Sequence, residues 1–243
     1  MNATLNIHPN DEMFHGNFEH YRDCGKQIAD MLEIYVPLLK PGNVILELPC
    51  GFGRATRHIA SRFLATLHVA DIQSDAVDFC VENFECVGHV ISEPALEFLS
   101  IPNDFFDVAV MGSLITHLGF NDTKTIVTNF AKKLKYEGVA IITTHGERAY
   151  DLLKANPIYD IEDKDRKLLI DAYESGAYGF CMYKQDTSFE RITKECAGEN
   201  RYGISLTPRA LNEVIFREAG LEVIKYEKGF WDNHQDVFWL KKK

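Results

Sequence analysis

The sequence predicts an α/β fold with a Rossmann-like, mostly parallel seven-stranded sheet, and three observations carry that prediction. Short apolar strands alternate with amphipathic helices over residues 40–146, as in parallel sheets covered on both faces. A turn from strand to helix carries glycines at 51 and 53. Two closing strands, 221–226 and 237–240, are joined by a connection too short for a crossover helix, so we expect them to pair antiparallel.

The elements follow a regular order. Apolar residues at helical spacing predict a helix over about 17–39, which Pro41-Gly42 ends. The other five strands are predicted at 44–48, 64–70, 89–91, 106–111 and 139–143, with helical stripes between them. Near the end of the chain, Thr207-Pro208 predicts a helix start, with Thr207 as the cap and Pro208 in the first turn.

The predicted organisation has three parts. Residues 1–40 form an N-terminal helical segment, and 41–146 together with 207–243 form a Rossmann-like cofactor-binding domain. The stretch between them, 147–206, is charged, aromatic-rich and poorly periodic. We expect it to be an inserted cap and substrate region over the carboxyl edge of the sheet, where ligands bind in such folds.

Composition excludes several classes of protein. Among 243 residues, 26 Lys and Arg face 36 Asp and Glu, a net charge of −10, which argues against a nucleic-acid or anionic-membrane partner. The six cysteines form no CxxC pair, and 145–163 contains no H-x-x-x-H pattern, so we predict no metal site. Neither a signal peptide nor a membrane-spanning apolar run is recognisable, and we expect a cytoplasmic location.

The turn after the first strand predicts a nucleotide site. The strand delivers Glu47 to a loop with Gly51 and Gly53, and Asp71 follows at the tip of the next strand, placed to accept ribose hydroxyls. A dinucleotide loop needs a third glycine, but Thr56 stands there, and the Glu47 carboxylate would repel a pyrophosphate. That carboxylate would suit the ammonium group of a methionine moiety, which favours S-adenosylmethionine (SAM) over NAD.

These residues carry a family resemblance. ELPCGFGR, FDVAVMGSLITHL and LKYEGVAIITTHG, with Asp71 and the closing strand pair, resemble a class I SAM-dependent methyltransferase over about 40–146 and 205–241. More narrowly, LPCGFGR, SLITHL and WDNHQDVF resemble a bacterial subgroup often associated with glycosyltransferase loci. Pro49 departs from the family, since a glycine is usual there, and proline restricts φ and lacks a donor.

The resemblance implies roles for the loop and strand-end residues. The loop with Glu47, Pro49, Gly51 and Gly53 would hold the methionine end of SAM. Asp71 would bind the ribose, and Ile72 would pack on the adenine. The remaining implied cofactor contacts are Glu93 and Ala95 near the adenine amino group, and Gly112 and Ser113 beside the methionine chain and the transferable methyl.

An alcohol acceptor would need a base, and histidine is suited to that near neutral pH. His117 and His145 follow the fourth and fifth strands, and His234 lies in the closing turn between Asp232 and Asp236, which could orient it. Each histidine could instead be structural. The aromatic residues of the insert and tail could stack on an acceptor or form a small core: Tyr178, Phe180, Tyr183, Tyr202 and Trp231.

The predicted function is methyl transfer from SAM to a small-molecule or glycan-type acceptor at oxygen, with S-adenosylhomocysteine as the product. Two alternatives remain open. One is a SAM-binding regulatory module without catalysis, which a sealed pocket without acceptor space would favour. The other is an NAD(P)-linked oxidoreductase, which would need room for a pyrophosphate over Pro49–Gly53.

Overall fold

The computed structural model describes residues 6–35, 40–91, 97–183 and 201–243. A seven-stranded sheet has the order β3-β2-β1-β4-β5-β9-β8, and all neighbours up to β5 run parallel. Its strands are β1 Val44–Glu47, β2 Thr66–Asp71, β3 Val87–Val90, β4 Phe106–Met111, β5 Leu134–Thr144, β8 Leu221–Trp231 and β9 Gln235–Lys242. The seven-stranded, mostly parallel sheet is confirmed.

The closing strands pair as predicted. β9 runs antiparallel to both β5 and β8, with Ile141 opposite Trp239 and Tyr226 opposite Phe238. A two-stranded antiparallel sheet, β6 Gly179–Met182 and β7 Gly203–Leu206, lies apart from the main one. The helices are α1 Phe18–Tyr35, α2 Thr56–Arg62, α3 Ser74–Asn83, α4 Phe120–Lys133, α5 Glu147–Ala155, α6 Asp163–Glu174 and α7 Arg209–Glu218.

Two cores sandwich the main sheet. Alternate residues of a strand enter opposite cores, as Ile45 and Leu46 do in β1 and Ile141 and Ile142 do in β5. Helices α1, α2 and α3 pack on one face, and α4 and α7 cover the other. This two-sided cover explains why the strands read as continuous apolar runs.

The order of strands reverses between β1 and β4. In open α/β sheets the crevice at such a reversal, outside the carboxyl ends of the strands, is where ligands bind. The loop after β1 and the loop after β4 both open at this point. In the described part of the chain, no helix combines the length and apolar character needed to cross a membrane.

Two expectations differ from the structure. The described part of 147–206 is more regular than its weak periodicity indicated. Its elements α5, α6, β6 and β7 pack together around a small core that includes Leu153 and Leu169. Thr207 does not cap α7. Its backbone N–H donates to the His145 carbonyl at 2.9 Å, and Pro208, in an extended conformation, takes the cap position.

Candidate active site

The loop after β1 turns back on itself at two glycines. Gly51 and Gly53 have φ of +49° and +78°, values that favour glycine. A Cβ on Gly53 would lie 2.4 Å from the ring of Phe84, so the loop packs tightly there. A Cβ on Gly51 would meet nothing within 4 Å. The Cα of Gly51 therefore faces open space that a ligand could enter, whereas Gly53 serves the packing of the turn.

Glu47 lies buried beneath this loop, with 4% of its surface exposed. Its Oε2 accepts a hydrogen bond from the Thr56 hydroxyl at 2.7 Å. Burial raises the pKa of the Glu47 carboxyl to about 8, although the Thr56 hydrogen bond and the Arg54 charge act in the opposite direction. A cation arriving above the loop would favour the ionised carboxylate, which suits the ammonium group of SAM.

Asp71 ends β2 and is buried against the same loop. One carboxylate oxygen accepts from the Gly51 N–H at 2.8 Å and the other from the Gln73 N–H at 3.0 Å. Burial raises the pKa of Asp71, while these backbone donors lower it. Asp71 thus holds the Gly51 turn in place, and each oxygen keeps lone pairs for further donors.

The other predicted cofactor contacts are placed as follows. Ile72 is half-buried and packs on the sheet core beside Asp71. Gly112 and Ser113 follow β4 at the reversal of strand order, and a Cβ on Gly112 would lie 3.5 Å from the Trp231 ring. Glu93 and Ala95 lie outside the described residues, so their predicted contacts with the adenine amino group stay predictions.

A hydrogen-bond circuit runs from the end of β4 to β9. The Ser113 N–H donates to Thr143 Oγ1 at 2.8 Å, and that hydroxyl donates to Gln235 Oε1 at 2.6 Å. Gln235 Nε2 then donates to Ser113 Oγ at 2.8 Å, and Ser113 Oγ lies 3.4 Å from His117 Nε2. Ser113 itself takes φ of +55°. The circuit holds this strained turn at the mouth of the crevice.

The three predicted histidines lie together. The ring centroids of His117 and His145 are 6.1 Å apart, and those of His145 and His234 are 5.0 Å apart. Tyr202 stacks on His117 at 4.8 Å, and Tyr159 lies 5.1 Å from His145. The ends of β4 and β5, the insert and the closing turn thus all contribute rings to one cluster.

A backbone carbonyl determines the tautomer of His145. Its Nδ1 lies 3.2 Å from the Ser205 carbonyl. Because a carbonyl only accepts, Nδ1 of His145 carries the proton and Nε2 keeps its lone pair. Nδ1 of His117 lies 3.1 Å from the Gly203 carbonyl and 2.8 Å from the Tyr183 hydroxyl, which can donate or accept. Both carbonyls belong to β7, which explains why the insert packs against this edge.

Burial keeps the three imidazoles neutral. It lowers the pKa of His117 to about 4, and it lowers the pKa of His145, where the neighbouring His234 and His117 rings act in the same direction. The pKa of His234 is also lowered by burial, although Asp232 and Asp236 oppose the shift. Neutral rings can accept a proton at physiological pH, and their low pKa makes the resulting cation a strong acid.

The acids near His234 do not orient it, contrary to the expectation from the sequence. His234 Nε2 pairs with the Tyr159 hydroxyl at 2.8 Å. Asp236 is buried and accepts from the backbone N–H groups of Glu147, Arg148 and Gly229 and from the Tyr226 hydroxyl. It is engaged by the N-terminus of α5, whose unpaired N–H groups attract a carboxylate. Asp232 lies 3.5 Å from His20 instead.

A cavity of about 460 Å³ opens beside Ser113. It is lined by all three predicted histidines and by side chains from the N-terminal segment, the insert and the closing turn, among them Met13, Arg54, Tyr159, Tyr183 and Trp231. Of the predicted aromatic residues, Tyr183 and Trp231 therefore face this space. Tyr178 does not, because its hydroxyl bonds to the Leu118 carbonyl at 2.8 Å and its ring packs on the main core.

Sequence reasoning missed three residues of this site. Arg54 lines the cavity with its guanidinium 5.3 Å from the Trp231 ring, Tyr159 pairs with His234, and Gln235 supports Ser113. Arg54 directly follows Gly53, so a cation next to the glycine turn was an available signal. Tyr159 and Gln235 had no local signal, because their partners lie far away in the chain.

Comparison with known proteins agrees with this geometry. Residues 45–138 match the family model described as a methyltransferase domain. This segment is therefore similar to a methyltransferase domain, and the fold is that of SAM-dependent methyltransferases of known structure. The matched residues run from β1 into β5, and they include the glycine loop, Asp71 and Ser113.

The proteins similar to this chain are distant from it in sequence. Phosphoethanolamine N-methyltransferase 3 of Arabidopsis thaliana is 26% identical over 174 residues, which cover 70% of this chain and 32% of that protein. The aligned segment is thus about a third of that relative's length. A SAM-dependent methyltransferase from Methanosarcina mazei superposes with a TM-score of 0.60 at 15% identity, over 86% of this chain and 96% of the other. The PH0226 protein of Pyrococcus horikoshii has a TM-score of 0.65 at 15% identity, with 94% and 93% covered.

Proposed function

We propose that this chain transfers the methyl group of SAM to a hydroxyl oxygen of a small polar acceptor. The observation that carries the proposal is the cavity beside Ser113, into which neutral His117, His145 and His234 converge. A binding module without catalysis has no need for such a space. The buried carboxyl of Glu47 under the glycine turn disfavours the pyrophosphate that an NAD(P)-linked enzyme would have to hold.

The cofactor would lie across the crevice between β1 and β4. Glu47 would attract its ammonium group from below Gly51, and Arg54 would pair with its carboxylate from the cavity side. Asp71 would accept from the ribose hydroxyls, with Ile72 against the adenine. Open space over Gly51 and the raised pKa of Glu47 both support this placement.

His145 is the base that the geometry favours. Its Nδ1 donates to the Ser205 carbonyl, which leaves the Nε2 lone pair for an acceptor proton. Nε2 of His117 already lies within reach of Ser113, and Nε2 of His234 pairs with Tyr159. In the step, an oxygen–methyl bond forms as the sulfur–methyl bond breaks, the acceptor proton passes to His145, and the sulfonium becomes the neutral thioether of S-adenosylhomocysteine.

The walls of the cavity suit a hydroxylated ring. Tyr159 and Tyr183 offer ring faces together with hydroxyl groups, and Trp231 offers a ring face, a combination that can stack on a sugar and bind its hydroxyls. The motifs shared with the bacterial subgroup associated with glycosyltransferase loci support the same acceptor class. We therefore infer a sugar or glycan-type acceptor.

The cofactor is tested first, by calorimetric titration of the purified chain with SAM, S-adenosylhomocysteine and NAD. We expect both adenosyl ligands to bind and NAD not to bind. Asp71→Asn should lose that binding, whereas Asp78→Asn, on the exposed face of α3, should keep it. Binding of NAD alone, or of none of the three, would overturn the proposal.

The base is tested next with methyl-labelled SAM and a panel of free sugars, sugar nucleotides and other hydroxylated molecules. Once an acceptor is found, His145→Gln should lower kcat by about 10²–10⁴-fold, the usual contribution of a general base. The binding of SAM should be unchanged. His89→Gln, on β3 and outside the cavity, is the control with near-normal kcat. Transfer to an amine acceptor, or full activity in His145→Gln, would contradict the assignment.

A further inference from the structure

A second cluster of polar side chains lies at the rim of the cavity. His20 and Cys24 lie one turn apart on α1, and Asp232 comes from the turn between β8 and β9. One ligand atom from each residue lies within 4.8 Å of the other two. Cys24 and Asp232 also line the cavity, whereas His20 is half-exposed to solvent. The cluster thus faces solvent on one side and the proposed acceptor space on the other.

The spacing of these atoms matches a tetrahedral site. Nε2 of His20 lies 3.5 Å from a carboxylate oxygen of Asp232 and 3.6 Å from Sγ of Cys24. Zinc bonds of about 2.0–2.1 Å to nitrogen or oxygen and about 2.3 Å to sulfur imply tetrahedral edges of about 3.4 Å and about 3.6 Å. Two of the three ligand pairs therefore have the spacing of a tetrahedral site, and the third pair, Cys24 and Asp232, lies within 4.8 Å. One ion could bond to all three atoms after a small adjustment of these side chains.

Hydrogen bonds hold the two ligand-bearing elements together. The indole N–H of Trp231 donates to the Cys24 carbonyl at 3.0 Å, and the N–H of Asp232 donates to Gln27 Oε1 at 2.7 Å. Asp232 takes φ of +56°, a conformation that directs the turn towards α1. These contacts involve backbone atoms and leave the three ligand side chains available to an ion.

We propose that His20, Cys24 and Asp232 form a zinc site with its fourth position open towards the cavity. Imidazole, thiolate and carboxylate are the ligand types that zinc takes, and three protein ligands with one open position are the arrangement of sites that bind a small molecule. The proposal goes beyond methyl transfer and runs against the sequence prediction of no metal. The sequence signal was His-x-x-x-Cys on a helix, which puts both side chains on one face.

Metal binding is tested on the full chain, purified with a non-thiol reductant and stripped of metal. In a titration in which the protein competes with a chromophoric chelator, we expect one zinc ion to bind per chain. The Cys24 thiol should release its proton when zinc binds. Cobalt in place of zinc should give the absorption of a tetrahedral ion with a thiolate ligand. His20→Gln, Cys24→Ser and Asp232→Asn should each weaken zinc binding at least about tenfold. Loss of a residue that only hydrogen-bonds to a metal ligand already has an effect of about this size, and loss of a ligand itself should have at least as large an effect.

Matched controls separate this site from general effects. Cys86→Ser and Asp78→Asn change a thiol and an acid outside the cluster and should leave zinc affinity and the cobalt spectrum unchanged. Binding of SAM by the same samples shows that they are folded, and it reports on the proposed function independently of zinc. Less than one equivalent of zinc, a cobalt spectrum without the thiolate band, or equal affinity in the three cluster variants would overturn the proposal.

Discussion

At the scale of single residues, Glu47 contributes opposite effects to stability and to ligand binding. Its pKa is about 8 in the free protein, so the folded state holds a proton that the unfolded state, with an ordinary pKa near 4.5, releases. The contribution of Glu47 to stability is therefore largest at low pH and is lost as pH rises towards 8. The same buried carboxylate is what a cationic ligand group would stabilise.

The raised pKa of Glu47 predicts that SAM binding releases a proton. Near pH 7 free Glu47 is mostly protonated, and the ammonium group of SAM should lower its pKa, so binding should release up to about one proton. Calorimetry in buffers of different ionisation enthalpy measures that number. Glu47→Gln should abolish the release, bind SAM more weakly and melt higher than the natural protein above pH 8. Unchanged proton release in Glu47→Gln would assign the effect to another group.

At the scale of elements, Asp236 joins three parts of the chain. From β9 its two oxygens accept from the first N–H groups of α5 and from Gly229 and Tyr226 of β8. The carboxylate takes the place of a side-chain cap at the start of α5, and it fills the space a Cβ on Gly146 would need, 2.3 Å away. The first helix of the insert is thereby attached to the closing strands.

Loss of this junction should destabilise the fold. Asp236→Asn keeps the shape of the side chain but places an NH2 group against the N–H and O–H donors that now bond to the carboxylate. We expect the free energy of unfolding to fall by about 1–3 kcal/mol. Urea unfolding measures the change. Asp151→Asn is the control, because Asp151 forms an exposed ion pair with Lys228. Loss of this ion pair should lower the free energy of unfolding by less than about 0.5 kcal/mol. Equal stability of the two variants would contradict the structural role of Asp236.

At the scale of the whole molecule, the proposed cofactor site joins segments that depend on one another. His8 stacks on Phe52 of the glycine loop with ring centroids 4.4 Å apart, and Asn10 bonds to Asp75 at the start of α3. The N-terminal segment therefore packs over the loop that would hold SAM. Binding there should stabilise the N-terminal segment and the sheet together.

Stabilisation by ligand is the corresponding prediction. SAM at 100 times its Kd should add about 2.7 kcal/mol to the free energy of unfolding. For a chain of this size that should raise Tm by about 5–11 °C. Thermal unfolding with and without SAM measures the shift. NAD at the same concentration should leave Tm unchanged, and an equal shift by NAD would point to the dinucleotide alternative.

Local patterns were sufficient for the sheet and for the placement of the glycine loop. Short apolar runs between amphipathic helices located the strands of the main sheet. The carboxyl ends of parallel strands meet at one edge, so Glu47, Asp71 and Ser113 could be placed there from the sequence. The elements of the insert could not be placed, since α5, α6, β6 and β7 are short and each adds only one or two buried apolar side chains to a small shared core. So few apolar positions give a weak pattern.

Only the tertiary structure decided how the side chains at that edge are paired. Trp231 and Cys24 are 207 positions apart, yet their contact brings Asp232 to His20 rather than to His234. The sequence by itself determined the fold class, because hydrophobic periodicity is a local property of each element. It did not determine the partners of the histidines and acids, because each pairing depends on where the closing strands set side chains against distant elements.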